Sequence, residues 1–282
     1  MAFQDLMLSA LTYPDATSDL ALRSGVALAK RIGGNLNLSA VQVVMPAMHN
    51  PIANALIKLD ALADQASAQS VQRVTDVTSC VSQAAEVDSV SLDVTVLHAQ
   101  LLETDNVLCE AAHSRDLTLV SIDPSSISDP ALAEALLFGS GRPILIYSSR
   151  VEIAATTGFD NVAIAWDNGP KAARAVADAL PLLAKAKIVR ILVATDEKAS
   201  VKKGGASDIV RHLKSHAIDC LVDERPAAGR PIGTLLAEYV LAQGIDLLVM
   251  GGYGHARIRE FILGGATQSV LQAPPCPVLM SH

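Results

Sequence analysis

The sequence predicts two tandem α/β domains, each a five-stranded parallel sheet flanked by helices. Three observations lead there. Short apolar runs alternate with helix-patterned segments along the chain, the order that builds parallel βαβ units. Half of the residues are hydrophobic but only 3% are aromatic, so the apolar mass is Ala, Val, Leu and Ile, the material of strands buried on both faces. The order of elements also repeats after about 140 residues, which divides the 282 residues into domains at 1–150 and 158–282.

In the first domain, residues 4–11 read as a buried strand, and Pro14, Asp15 and Ser18 as a turn and helix start. A helix over 20–32 stops at Gly33-Gly34-Asn35. Strand 36–44, an Ala- and Gln-rich helix over 52–85 with room for one break, and strand 90–97 follow. Helix 101–114, strand 117–122, helix 130–138 and strand 143–147 complete it. The second domain repeats the order: strand 161–166, helix 171–186, strand 188–194, helix 207–216, strand 219–223, helix 232–243, strand 247–250, helix 258–272 and strand 278–280. Thr156-Thr157-Gly158 is the most linker-like piece between them, and the repeat argues for duplication rather than one continuous sheet.

The copies differ where a ligand would sit. In the second, Asp246-Leu247-Leu248-Val249-Met250 runs into Gly251-Gly252-Tyr253-Gly254-His255, and a further pair, Gly264-Gly265, precedes Ala266-Thr267. Glycines between a buried strand and a helix let the backbone turn sharply and leave amide N–H groups to meet an anion. The plainer reading of any one of them is a tight strand-to-helix turn. In the first copy the matching stretch is Asp116-Leu117-Thr118-Leu119-Val120-Ser121, continuing Ile122-Asp123-Pro124-Ser125 without a glycine. Any nucleotide site is therefore expected in the C-terminal domain alone. Asp15 is assigned to a turn.

The spacing Gly251-x2-Gly254-x9-Gly264 resembles the nucleotide-binding signature of the universal stress protein family, G-x2-G-x9-G-[ST]. The words around it fit: a strand ending Val-Met-Gly, and Ala-Pro-Pro-Cys-Pro-Val-Leu-Met at 273–280 as the final strand. The resemblance implies Rossmann-like domains of the HUP type and a site for ATP or a related adenine nucleotide, with a divalent ion such as Mg. It implies that Met250, Gly251, Gly254, Gly264, Gly265, Ala266 and Thr267 surround the phosphates, with His255 and Arg257 near them. Asp167 would hold a ribose hydroxyl or a metal-bound water, and Val193 and Ala194 would present backbone to adenine. It also implies pairing of final strands, here within one chain as a pseudo-dimer, with a homodimer of whole chains left open. One departure stands out: Gly265 occupies the position where ATP-binding members carry Ser or Thr, so a hydroxyl is lost that Thr267 would have to supply.

On the residues alone, Asp167-Asn168-Gly169-Pro170 reads equally well as a turn and helix cap. His255, Arg257 and Arg259 read as phosphate contacts or as a solvated helix face. The net charge of −7 without a basic run argues against nucleic acid and anionic membranes as partners. No apolar run approaches the roughly 18 residues of a membrane span, and the start Met1-Ala2-Phe3-Gln4-Asp5 lacks the basic character of a signal peptide. The four cysteines are scattered, as free thiols in a reducing cytoplasm would be, and a soluble cytoplasmic protein is expected. There is no G-x4-G-K-[ST] loop, no paired-His metal spacing and no G-x-S-x-G elbow. The alternatives to a nucleotide-binding stress protein are an interaction scaffold of the same fold that binds no nucleotide, and an enzyme on a phosphorylated or nucleotide substrate whose general base is not identifiable.

Overall fold

The computed structural model describes residues 3–45, 59–156, 158–196, 205–252 and 265–282. Ten strands join into one sheet in the order β3-β2-β1-β4-β5-β10-β9-β6-β7-β8. In the N-terminal half these are β1 (Asp5–Ala10), β2 (Asn35–Val43), β3 (Leu92–Ala99), β4 (Leu117–Ile122) and β5 (Ile144–Ser148). In the C-terminal half they are β6 (Asn161–Ala165), β7 (Ile188–Ala194), β8 (Leu221–Arg225), β9 (Leu247–Gly251) and β10 (Val278–Ser281). Both halves have the same topology, with the first strand central and the order reversing beside it, between β1 and β4 and between β6 and β9.

All pairings are parallel except one. β5 meets β10 antiparallel, with Val278 opposite Ile146, Leu279 opposite Leu145 and Met280 opposite Ile144. Pairing of the final strands within the chain is thus observed. The two five-stranded sheets do not stay separate, contrary to the reading of the repeat as against a continuous sheet. The last strand of each half has an open edge, and the other half supplies the backbone partners that water would otherwise provide.

Helices α1 (Asp19–Ile32), α2 (Leu59–Asp88), α5 (Pro170–Leu183) and α6 (Ser207–Ser215) cover one face; α3 (Thr104–Ala112), α4 (Ser128–Gly139), α7 (Ile232–Gln243) and α8 (Gly265–Gln272) cover the other. The strands are buried on both sides, so successive residues alternate between two cores. Leu145, Tyr147 and Leu279 enter the first core, and Ile144, Ile146, Val278 and Met280 enter the second. Each core therefore runs across the β5–β10 seam. The long helix α2 is unbroken over its described length, and Val74, Val77, Val81 and Ala85 lay its apolar stripe against the sheet. Ser18 caps α1 by accepting the Ala21 N–H, and Gly33 ends it at φ 87°, a left-handed conformation that costs glycine little.

The duplication is written into one repeated clamp. Asp116, just before β4, accepts the N–H groups of Gln4 and Asp5 at 2.8 and 3.0 Å. Asp246, just before β9, accepts those of Asp160 and Asn161 at 2.8 and 3.1 Å. Asp246 also faces Arg31 of the other half at 3.7 Å, and that guanidinium lies 4.9 Å over the Phe159 ring. The connecting segment is held by the same residue: Arg31 donates to Thr156 Oγ1 and accepts from the Gly158 N–H, each at 2.9 Å. Thr156 and Gly158 of the linker-like piece are thus tied to the end of α1. Asp246→Ala, which strips the acceptor from two strand-opening amides, is expected to cost about 1–3 kcal/mol in urea unfolding; a loss confined to a few tenths would mean that water replaces the clamp.

Candidate functional site

In open α/β sheets the ligand crevice lies beyond the carboxyl ends of the strands, where strand order reverses. In the C-terminal half this is the edge where β6 and β9 end. β6 leads into Trp166 and Asp167, β7 ends at Ala194, and β9 ends at Met250-Gly251. Because β10 runs parallel to β9, α8 returns along the sheet and its first residues, Gly265, Ala266 and Thr267, lie toward the same edge. Of the residues expected to line a nucleotide site, Asp167, Val193, Ala194, Met250, Gly251, Gly265, Ala266 and Thr267 are described. Gly254, His255, Arg257 and Gly264 lie outside the described residues, as do residues 258–264 of the helix expected over 258–272.

The described residues differ in what they offer. Val193 and Met250 are core side chains, 0% and 5% exposed. Ala194 is half-buried and pairs with Arg225 of β8, so its strand end reaches the crevice edge. Asp167 Oδ1 accepts the Gly169 N–H at 2.9 Å, which builds the turn into α5; Asn168 bends at φ 57° and Pro170 opens the helix. The turn expected at Asp167 is therefore present, while the helix itself is capped at Gly169 with no side-chain bond.

Gly251 is required by packing. A Cβ there would stand 2.5 Å from the Lys171 carbonyl carbon and 2.6 Å from the Ala172 nitrogen. The end of β9 thus runs directly against the first turn of α5, whose leading N–H groups have no partners within the helix. Gly252 is as tightly placed on its other side, with a Cβ position 2.6 Å from Leu137 Cδ2 of α4 in the N-terminal half. Its N–H donates to the Ser281 carbonyl at 2.8 Å, so this amide closes the sheet rather than facing a ligand. Gly265 is the opposite case: it is exposed, and a Cβ would meet nothing within 4 Å among the described residues. Thr267 is buried, 4% exposed.

Three features of this edge leave little trace in the sequence. The Trp166 Nε1 and Ser281 Oγ atoms are buried with no hydrogen-bond partner among the described residues. Lys171, in the first turn of α5, brings a cation beside Gly251, and its charge adds to burial in holding the His282 imidazole below its ordinary range. Asp196, just past β7, accepts the N–H groups of Ala227 and Ala228 at 2.5 and 2.8 Å, fixing the turn after β8 where Ala228 and Gly229 take φ of 53° and 77°. Only the alternation of strand with turn hinted at these, because each depends on which strand ends become neighbours. Among the described residues no three His, Cys, Asp or Glu side chains come together to hold a metal ion.

The comparisons with known proteins agree with this architecture. The model of the universal stress protein family matches residues 158–282. A universal stress protein from Archaeoglobus fulgidus DSM 4304 superposes with a TM-score of 0.70 at 18% identity, covering 99% of this chain and 97% of its own. A protein of unknown function from Pseudomonas aeruginosa PAO1 gives 0.57 at 15% identity, covering 99% and 92%. A candidate universal stress protein from Pseudomonas aeruginosa UCBPP-PA14 gives 0.56 at 14%, covering 99% and 93%. At such identities these likenesses establish the fold of the whole chain. Curated protein sequences contain no match.

The Asp196 clamp predicts an acid dependence. The two backbone N–H groups hold its carboxyl below the ordinary carboxylate range. A folded pKa below the unfolded one gives stability that is present above about pH 4 and fades as pH falls through the folded value. Asp196→Asn should lower the urea midpoint at pH 7 and narrow its difference between pH 7 and pH 3. An unchanged difference would show that the clamp does not contribute.

Proposed function

With residues 158–282 matching the universal stress protein family, we propose that the C-terminal half binds ATP or a related adenine nucleotide in the β6–β9 crevice. The family match supports a role in stress response, and the nucleotide would make that role responsive to a ligand. The observation that carries the reading is a pair of buried polar atoms, Trp166 Nε1 and Ser281 Oγ, with no partner among the described residues, at the edge where β9 meets the first turn of α5. A buried donor without an acceptor costs about 1–3 kcal/mol unless something satisfies it.

In this reading the phosphates lie over the first-turn amides of α5 and the glycines at 254, 264 and 265, with Lys171, His255 and Arg257 as their cations. Adenine lies along the backbone at Val193 and Ala194, and Asp167 meets the ribose. A magnesium ion would be held chiefly by phosphate oxygens and water, with Asp167 the nearest acid, as suits a hard cation that keeps much of its hydration. The second reading, an interaction scaffold that binds no nucleotide, rests on Gly265, which takes the place of the family's hydroxyl.

The residue that weakens the nucleotide reading also gives its test. Among the described residues nothing stands within 4 Å of a Cβ at Gly265, so Gly265→Ser adds a hydroxyl at the start of α8 without a clash with them. Nucleotide released by denaturing freshly purified protein should absorb as adenine. Magnesium–ATP at ~100 times its dissociation constant should add about 2.7 kcal/mol of stability. Gly265→Ser should tighten binding about three- to tenfold, within the reach of one added hydrogen bond, and Gly254→Val should abolish it. No adenine, no shift in melting temperature and no gain from the serine would together favour the scaffold.

A further inference from the structure

The same crevice exists in the N-terminal half, where β1 and β4 end, and its chemistry is reversed. A cavity of about 300 Å³ opens there, lined by Asp15, Ser121, Asp123, Asp129 and Ser149 among others. Ser121 stands where β9 has Gly251, and it lines the cavity. The backbone amides that would meet an anion are already filled by the chain's own acids. The Asp123 N–H donates to Asp129 Oδ2 at 2.8 Å, and the Ser125 N–H donates to Asp123 Oδ1 at 2.8 Å. A phosphate would find carboxylates in its place.

The charges do not cancel. Arg150 pairs with Asp123 at 2.8 Å. Among the described residues Asp129 is answered only by neutral donors, Ser126 Oγ at 2.9 Å and the Asp123 N–H. Asp15 is exposed and makes no hydrogen bond or ion pair among the described residues, and its charge reaches Asp129 across the cavity. Three carboxylates thus line the cavity, with Arg150 on Asp123 at its rim and Arg73 held on the Thr12 and Pro14 carbonyls behind Asp15. A separate observation points to a ligand. Ser149 is 8% exposed and lines the cavity, and its Oγ is buried without a hydrogen-bond partner among the described residues. Its N–H is fixed to the Ile122 carbonyl at 2.9 Å, so the residue is anchored to the end of β4 while its hydroxyl stays unanswered.

We propose that the β1–β4 crevice binds a small organic cation bearing a primary ammonium, held by Asp15, Asp129 and Ser149. An ammonium supplies three donors, which match two carboxylates and a hydroxyl acceptor. The grouping is unsuited to a bare metal ion, since among the described residues no three acids converge on one point. The volume is at the small end for ligand sites, enough for an amine with a short carbon chain. Asp15, assigned from the sequence to a turn, becomes a ligand-facing residue on this reading.

The test is calorimetric titration of the full chain with 1,4-diaminobutane at low salt, with 1,4-butanediol and inorganic phosphate as probes of the same reach or opposite charge. Saturable binding of the diamine alone is expected. Asp15→Asn and Asp129→Asn should each weaken it about tenfold, the worth of one charge-assisted hydrogen bond. Ser149→Ala should weaken it about threefold while leaving the melting temperature unchanged or raised, because removing an unpaired buried hydroxyl relieves the fold. Asp15 is exposed, so its variant folds whatever its effect on binding. Absence of saturable diamine binding, equal binding of the diol, or full affinity in Asp15→Asn would each overturn the proposal.

Discussion

The antiparallel pairing of β5 with β10 is the constraint on which the rest of the molecule depends. Within each half every pairing is parallel, so each half alone would end in an exposed edge of apolar residues, Ile144-Leu145-Ile146 or Val278-Leu279-Met280. Joining these edges turns two sheets of five strands into one sheet of ten and makes both helical layers continuous cores. It also fixes polarity. The strands of one half run opposite to those of the other, so the two crevices open at opposite edges of the sheet. The arrangement is that of a dimer within one chain, and it allows each half to specialise independently.

The specialisation is visible at equivalent positions. At Gly251 the backbone of β9 touches the backbone of α5, a contact that leaves room only for hydrogen. At the matching Ser121 the strand end is open, and the loop that follows folds its own carboxylates back onto its amides. One crevice keeps its helix-start amides and a nearby lysine; the other has neutralised its amides and accumulated acid. The same topology thus gives opposite electrostatics, which follows from site chemistry being carried by loops while the fold is carried by strands.

Much of this was legible in the sequence, for reasons that can be named. Strands buried on both faces leave continuous apolar runs, and the matching of Asp116-Leu117 with Asp246-Leu247 exposed the duplication before the shared clamp was seen. The pairing of final strands was legible only through family resemblance, since an edge sequence does not name its partner. The continuity of the sheet was missed for the same reason: repetition in sequence says nothing about whether two copies join. Glycine spacing marked the end of β9 but not the reason for Gly251, which is the approach of α5 from 80 residues earlier in the chain. Trp166 reads as the last residue of a strand, Ser281 falls just past the strand expected over 278–280, and Asp15 reads as a turn residue. Each owes its interest to neighbours brought by tertiary structure. The loss of hydrogen-bond partners cannot be seen in a string of letters.

Helix α4 has one end in each neighbourhood. It begins with Ser128 and Asp129 at the acidic crevice, and near its other end Leu137 fills the space left by the absent side chain of Gly252. An α-helix of 12 residues is a strut of about 18 Å, stiff along its axis. One continuous stiff element therefore borders both the acidic crevice and the close contact at Gly252.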